Sequence, residues 1–254
     1  MIAAIGSGGV EILDNVMDTC WSLGVPTATQ CSHAIGHGFL AWRGYKNLLV
    51  ALADCDILNK RLNHFPLFSC HDGIFMENIW AIHEGGKASS DRWLKTTDPL
   101  YPCNESNIPE TYKNACWSNQ PSWMYQLFGG DIKRIGEECL KVTNSEYRKT
   151  CFDSVARQIH PLTEGNPEKV FSMCGLIPKE WQDACIASIA KAAFTVGDRV
   201  LPFTLCNKLE GRGQDTYYEL LIPTMKAYIP DREKRSDVCK EINPLEWKNQ
   251  CQEL

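Results

Sequence analysis

Asp131-Ile-Lys-Arg-Ile-Gly-Glu-Glu-Cys139-Leu-Lys-Val-Thr-Asn-Ser145-Glu-Tyr147-Arg-Lys-Thr-Cys151 is the stretch that decides the fold. It reads as a short helix ending on a cysteine, a tight loop, and a second helix that starts at Ser145 with an acidic residue in its first turn. Tyr147 stands four residues before Cys151, which puts ring and sulfur on one helical face. The same phrase recurs as Pro109-Glu-Thr-Tyr112 before Cys116, Pro178-Lys-Glu-Trp181 before Cys185 and Pro244-Leu-Glu-Trp247 before Cys251.

The cysteines follow the phrase. Cys20/Cys31, Cys103/Cys116, Cys139/Cys151, Cys174/Cys185 and Cys239/Cys251 each enclose ten to twelve residues, and Cys55/Cys70 encloses fourteen. Six pairs account for twelve of the 13 cysteines and leave Cys206 alone. In its unit, Tyr217-Tyr218 stands where a partner is expected, and Gly211-Arg-Gly213 loosens the turn. No Cys-x-x-Cys pair occurs, which argues against zinc ribbons and thioredoxin-type motifs. Paired thiols at this spacing point to disulfides, hence to a secreted or periplasmic compartment. The start, Met1 to Gly9, lacks a basic n-region and a long apolar run, so the expectation is a chain whose signal peptide is already removed.

The expected fold is all-α: six to seven helical hairpins, each stapled by its own disulfide, stacked as an open solenoid or a closed α/α ring. Helices are expected near 10–22, 32–43, 46–58, 71–84, 110–128, 131–141, 146–160, 168–174, 179–195, 198–208, 214–228, 231–240 and 245–252. They form one repeat domain over 1–254. It divides into histidine-bearing repeats (10–84), an irregular loop (85–108) and regular cysteine-paired repeats (109–254). Long loops are often functional lids, and this one holds Asn104-Glu-Ser106, a glycosylation acceptor in a eukaryotic source.

Apolar residues make up 44% of the 254, and the net charge of −5 comes from interspersed charges. No basic stripe suggests a nucleic-acid partner. The longest apolar runs fall far short of a bilayer span. The expected partner is a small molecule or peptide; oligomeric state is not readable.

Chemistry concentrates near the N-terminal end, in Cys31-Ser-His33-Ala-Ile-Gly36-His37-Gly38 and Cys70-His71-Asp72-Gly73-Ile-Phe-Met-Glu77-Asn78. His33 and His37 share a helical face, a common metal-binding arrangement. Gly36 and Gly38 lower helix propensity by about 1 kcal/mol each, a cost that points to a close backbone approach. If the two segments stack, Asp72 or Glu77 reaches the histidines. His33, His37, Glu77 and His71 are therefore the expected ligands of zinc, copper or iron, and Glu77 and Asp72 the expected acid–base groups. His64, His83 and His160 read as structural. Aligned positions in later units hold Ser118, Ser122, Asp153, Arg157, Ala187 and Lys191, which with Gln120 and Trp123 suggest a polar groove. The leading expectation is an extracytoplasmic metal-binding protein or metalloenzyme, hydrolytic or redox. The alternatives are a peptide-binding scaffold and a metal-free acid–base enzyme acting on a saccharide or peptide.

Over residues 20–120 the two phrases resemble a group of uncharacterised microbial extracytoplasmic proteins that carry Cys-x-His-x-x-Gly-His-Gly and Cys-x-x-Gly-x-Phe-Met-Glu-Asn. Ala34 departs from the glycine expected there and leaves the histidines in place. The resemblance implies no activity.

Overall fold

A computed structural model describes residues 12–84 and 91–253. Over these residues the chain is all-helical, with no strand. The helices are α1 (Ile12–Ser22), α2 (Val25–Arg43), α3 (Leu48–Arg61), α4 (Leu67–Trp80), α5 (Glu110–Leu127), α6 (Ile132–Leu140) and α7 (Ser145–Thr163). They continue as α8 (Pro167–Cys174), α9 (Gln182–Thr195), α10 (Leu201–Cys206), α11 (Arg212–Tyr228), α12 (Arg232–Cys239) and α13 (Leu245–Glu253). The first residues of the expected 10–22 helix, and 85–90 of the expected loop, lie outside the described residues.

Six disulfides link Cys20–Cys31, Cys55–Cys70, Cys103–Cys116, Cys139–Cys151, Cys174–Cys185 and Cys239–Cys251, the pairs that the spacing suggests. Cys206 is free and buried. Local chemistry starts the helices where side chains can take up unpaired backbone N–H groups. Asp131 accepts from the Arg134 amide at 3.0 Å, Asn166 from that of Glu168 at 2.9 Å and Asp231 from that of Lys234 at 3.1 Å. The largest boundary difference from expectation is α2, which starts at Val25 rather than residue 32. Gly24 turns the chain at φ +104° and Pro26 stands in the first turn of the helix, where its missing N–H costs nothing.

Chain contacts divide the protein into two compact units, residues 1–127 with 144–150, and residues 128–143 with 151–254. The first encloses Leu13, Met17, Ile35, Phe39, Leu52, Ile74 and Phe75. There Arg43 holds buried Asp54 through two bonds, Nε–Oδ2 at 2.7 Å and Nη2–Oδ1 at 2.9 Å, joining the end of α2 to α3. The second encloses Ile135, Phe152, Val155, Ile189, Phe194, Tyr217 and Met225.

The aromatic four residues before Cys116, Cys151, Cys185 and Cys251 packs in each case on an earlier segment of its own unit. Tyr112 lies edge-on to His71 at 4.8 Å between centroids, and Tyr147 donates to Glu110 at 2.5 Å. Trp181 stacks on Phe152 at 4.4 Å and Trp247 on Tyr218 at 5.7 Å.

Candidate metal centre

The site begins with two glycines. A Cβ on Gly36 would lie 2.0 Å from the Cys70 carbonyl oxygen, and a Cβ on Gly73 would lie 2.1 Å from that of His33. Both positions therefore require glycine, and α2 and α4 cross with their backbones in contact. The helix propensity given up at Gly36 is exchanged for this approach. Ser32 adds a bond from its hydroxyl to the Pro66 carbonyl at 2.8 Å.

The crossing sets the side chains on either side of it face to face. On α2, His33 and His37 lie one turn apart, with Nε2 atoms 3.1 Å apart. On α4, Glu77 Oε2 stands 2.8 Å from His37 Nδ1, and Asp72 Oδ2 stands 3.4 Å from His33 Nδ1. Asp72 is oriented from behind by Asn119, whose amide donates to Oδ1 at 2.7 Å.

A third imidazole arrives where α4 ends. Ala81 takes the left-handed conformation at φ +47°, a cost of about 1 kcal/mol for a residue with a Cβ. The chain turns back through a 3-10 turn, Ile82–Glu84. His83 thereby donates its backbone N–H to Glu77 Oε1 at 3.0 Å and places its ring Nδ1 3.2 Å from Oε2. The sequence reading treated His83 as structural. Its position depends on that reversal, and no helical spacing foreshadows it.

Glu77 has no exposed surface, and Tyr45 O–H supplies a fourth donor, to Oε1 at 2.5 Å. Burial pushes the Glu77 carboxyl up. The bonds from His37, Tyr45 and the backbone and ring of His83 outweigh it and bring it down to about 2. Four donors fill the four lone-pair positions of the carboxylate. The ligand atoms of His37, Glu77 and His83 lie within 4.8 Å of one another, a group that could hold an ion. Glu77 holds the imidazoles of His37 and His83, and it is also the ligand or base that the sequence offers.

Tautomers follow. An ionised carboxylate only accepts, so His37 Nδ1 donates to Glu77 and the neutral ring keeps a lone pair on Nε2; His33 Nδ1 stands at ion-pair distance from Asp72. The two facing Nε2 atoms stand at hydrogen-bond distance, with roles set by the tautomer of His33. His37, whose other nitrogen meets a carboxylate, has the pattern of a metal-bound histidine. Two nitrogens on one tetrahedral ion stand about 3.3 Å apart for bonds of about 2.0–2.1 Å, close to the observed 3.1 Å. The His33 side chain is 28% exposed, and a depression of about 270 Å³ lined by Ala34, His37, Ile82 and His83 opens beside the pair.

Other expected site residues lie elsewhere. His71 faces Asp56 Oδ1 at 3.1 Å, and Tyr112 donates to the other oxygen of Asp56. This group flanks the Cys55–Cys70 disulfide and is not brought to the imidazole pair. Gln120 is buried and donates to the carbonyls of Pro99 and Tyr101, both at 2.7 Å, and Trp123 donates to that of Lys95 at 3.3 Å. Both hold down the 91–109 segment, which Asn78 also pins through reciprocal bonds to Trp93. Gln120 and Trp123 belong to the first unit; Asp153, bonded to Ser188 at 3.0 Å, belongs to the second with Arg157 and Lys191.

No protein-family model, curated protein or solved structure matches the chain.

Proposed function

We propose that this chain is an extracytoplasmic metal-binding protein whose ion sits between His33 Nε2 and His37 Nε2. The observation that carries this reading is the facing pair itself, 3.1 Å apart with each opposite nitrogen turned to a carboxylate. Asp72 and Glu77 act as outer partners that fix ring orientation and raise imidazole basicity. Zinc, copper and iron all suit imidazole donors. With positions left open, the ion would lower the pKa of a bound water or take up a small ligand. Metal-free acid–base work by Glu77, His37 and Asp72 is the weaker reading, because the Glu77 oxygens are already filled.

The six disulfides support a location in an oxidising compartment. No helix among the described residues is long and apolar enough to cross a membrane. We also read the stapled hairpins as repeats of one unit. The recurring phrase supports this, as does the packing of each aromatic on an earlier segment.

The test is retention of metal. Protein with its disulfides intact, loaded with zinc, copper or iron and dialysed, should keep about one ion per chain. His33→Ala and His37→Ala should keep none while their helical content is unchanged. Equal retention by the wild type and both variants would sink the proposal.

A further inference from the structure

We infer that a second ion position lies on the opposite side of the His37 ring, formed by His37 Nδ1, Glu77 Oε2 and His83 Nδ1, so that His37 bridges two ions. This rests on the metal-binding reading above, which supplies the first ion at His37 Nε2.

The two oxygens of Glu77 have different neighbours. Oε1 accepts from Tyr45 O–H at 2.5 Å and from the His83 backbone N–H at 3.0 Å, which fix the carboxylate in place. Oε2 meets two ring nitrogens, His37 Nδ1 at 2.8 Å and His83 Nδ1 at 3.2 Å. A ring N–H can give up its proton and leave a lone pair on the same axis; a backbone N–H does so far less readily. Two donors on one tetrahedral ion stand about 3.3 Å apart for bonds of about 2.0–2.1 Å, close to both contacts at Oε2. The ligand atoms of all three residues lie within 4.8 Å of one another.

Charge points the same way. Glu77 is wholly buried, and its partners Tyr45, His37 and His83 include no lysine or arginine. Buried charges are ordinarily paired or bound to metal, and a divalent ion supplies the missing countercharge. Two imidazoles and one carboxylate suit zinc or copper(II) and leave a fourth position open. His37 and His83 both line the depression of about 270 Å³, which gives an ion its path inward.

The protons balance. His83 gives up its Nδ1 proton and takes one on Nε2, since its side chain is 38% exposed. His37 holds the first ion on Nε2, so it releases its Nδ1 proton to solvent and becomes an imidazolate between two ions about 6 Å apart for bonds of about 2.0–2.1 Å. The second ion displaces a proton where the first does not. It is therefore held more weakly, and dialysis leaves one ion per chain.

Copper(II), added stepwise without dialysis, is the probe. The first equivalent should raise the EPR signal, and the second should lower it, because an imidazolate bridge couples two copper(II) spins antiferromagnetically. His83→Ala should bind one ion and keep its full signal. His83→Gln retains an N–H donor for Glu77, so it should fold if His83→Ala does not, and it too should bind one ion. A wild type that binds a single ion, a second equivalent that adds signal in proportion, or His83 variants that match the wild type would each overturn the inference and leave the His33–His37 site standing. A wild type that binds no copper overturns both.

Discussion

The two compact units are stapled alike and filled differently. Each holds three disulfides between nearby cysteines. The second unit buries a mostly apolar interior; among its described residues the one buried charged side chain is Arg235, which donates to the carbonyls of Ile229 and Pro230. The first buries His37, Asp54, His71, Asp72, Glu77 and Asn78. Burying such groups costs free energy unless each is bonded. The second unit shows that the architecture does not require them. His37, Asp72 and Glu77 among them meet at the α2–α4 crossing, where the proposed centre lies.

The comparison breaks most easily at the crossing glycines. Gly36→Ala or Gly73→Ala drives a methyl into a backbone carbonyl that cannot move aside. The expected loss is about 3 kcal/mol or more in denaturant unfolding, together with loss of metal retention. Gly136→Ala in the second unit meets only side-chain atoms of Ile177 and Pro178, at 3.2 Å and beyond, and should cost about 1 kcal/mol. Equal losses at the two places would remove the distinction.

Acid should separate the units next. Glu77 falls from 4.5 to about 2 on folding. A depressed carboxyl stabilises the fold fully above its unfolded value and loses that contribution as pH falls from about 4.5 towards 2. The size is about 3 kcal/mol, from about 1.4 kcal/mol per pKa unit. In the metal-free protein the first unit should therefore melt at higher pH than the second during acid titration followed by hydrogen exchange. Glu77→Gln should flatten that dependence.

Smaller effects sharpen the assignment. Cys206 is buried, and burial pushes its thiol up. Native protein should take up no alkylating label and denatured protein one per chain, while Cys206→Ala costs about 1 kcal/mol. His71→Gln should leave copper binding within twofold of wild type, because His71 faces Asp56 and Tyr112. A tenfold loss there would place His71 at the centre after all.

Most of this arrangement was legible in the chain, for reasons that also explain the rest. Disulfide partners could be read because the members of each pair lie only 11 to 15 residues apart in sequence. His33 and His37 could be read because a spacing of four fixes a shared face, and the glycine cost at Gly36 announced a close neighbour. Two things could not be read. His83 returns to Glu77 through a left-handed Ala81, and no period predicts where a helix reverses. The polar positions from Ser118 to Lys191 form a pattern, but a pattern on one helix does not say what it faces. Gln120 proved to hold backbone carbonyls of the 91–109 segment. The start of α2 was missed because the cysteine was taken as its landmark, when Gly24 and Pro26 set it.

The order of the six cross-links has a consequence for how the chain matures. They close in strict succession along the sequence, none spanning another, over separations of 11 to 15 residues. A polypeptide entering an oxidising space N-terminus first can complete each bond before the next pair arrives, so correct pairing is also the fastest pairing. Cys206 is the single hazard in that sequence. Its concealment beneath α11 removes it from exchange once the last hairpins have folded.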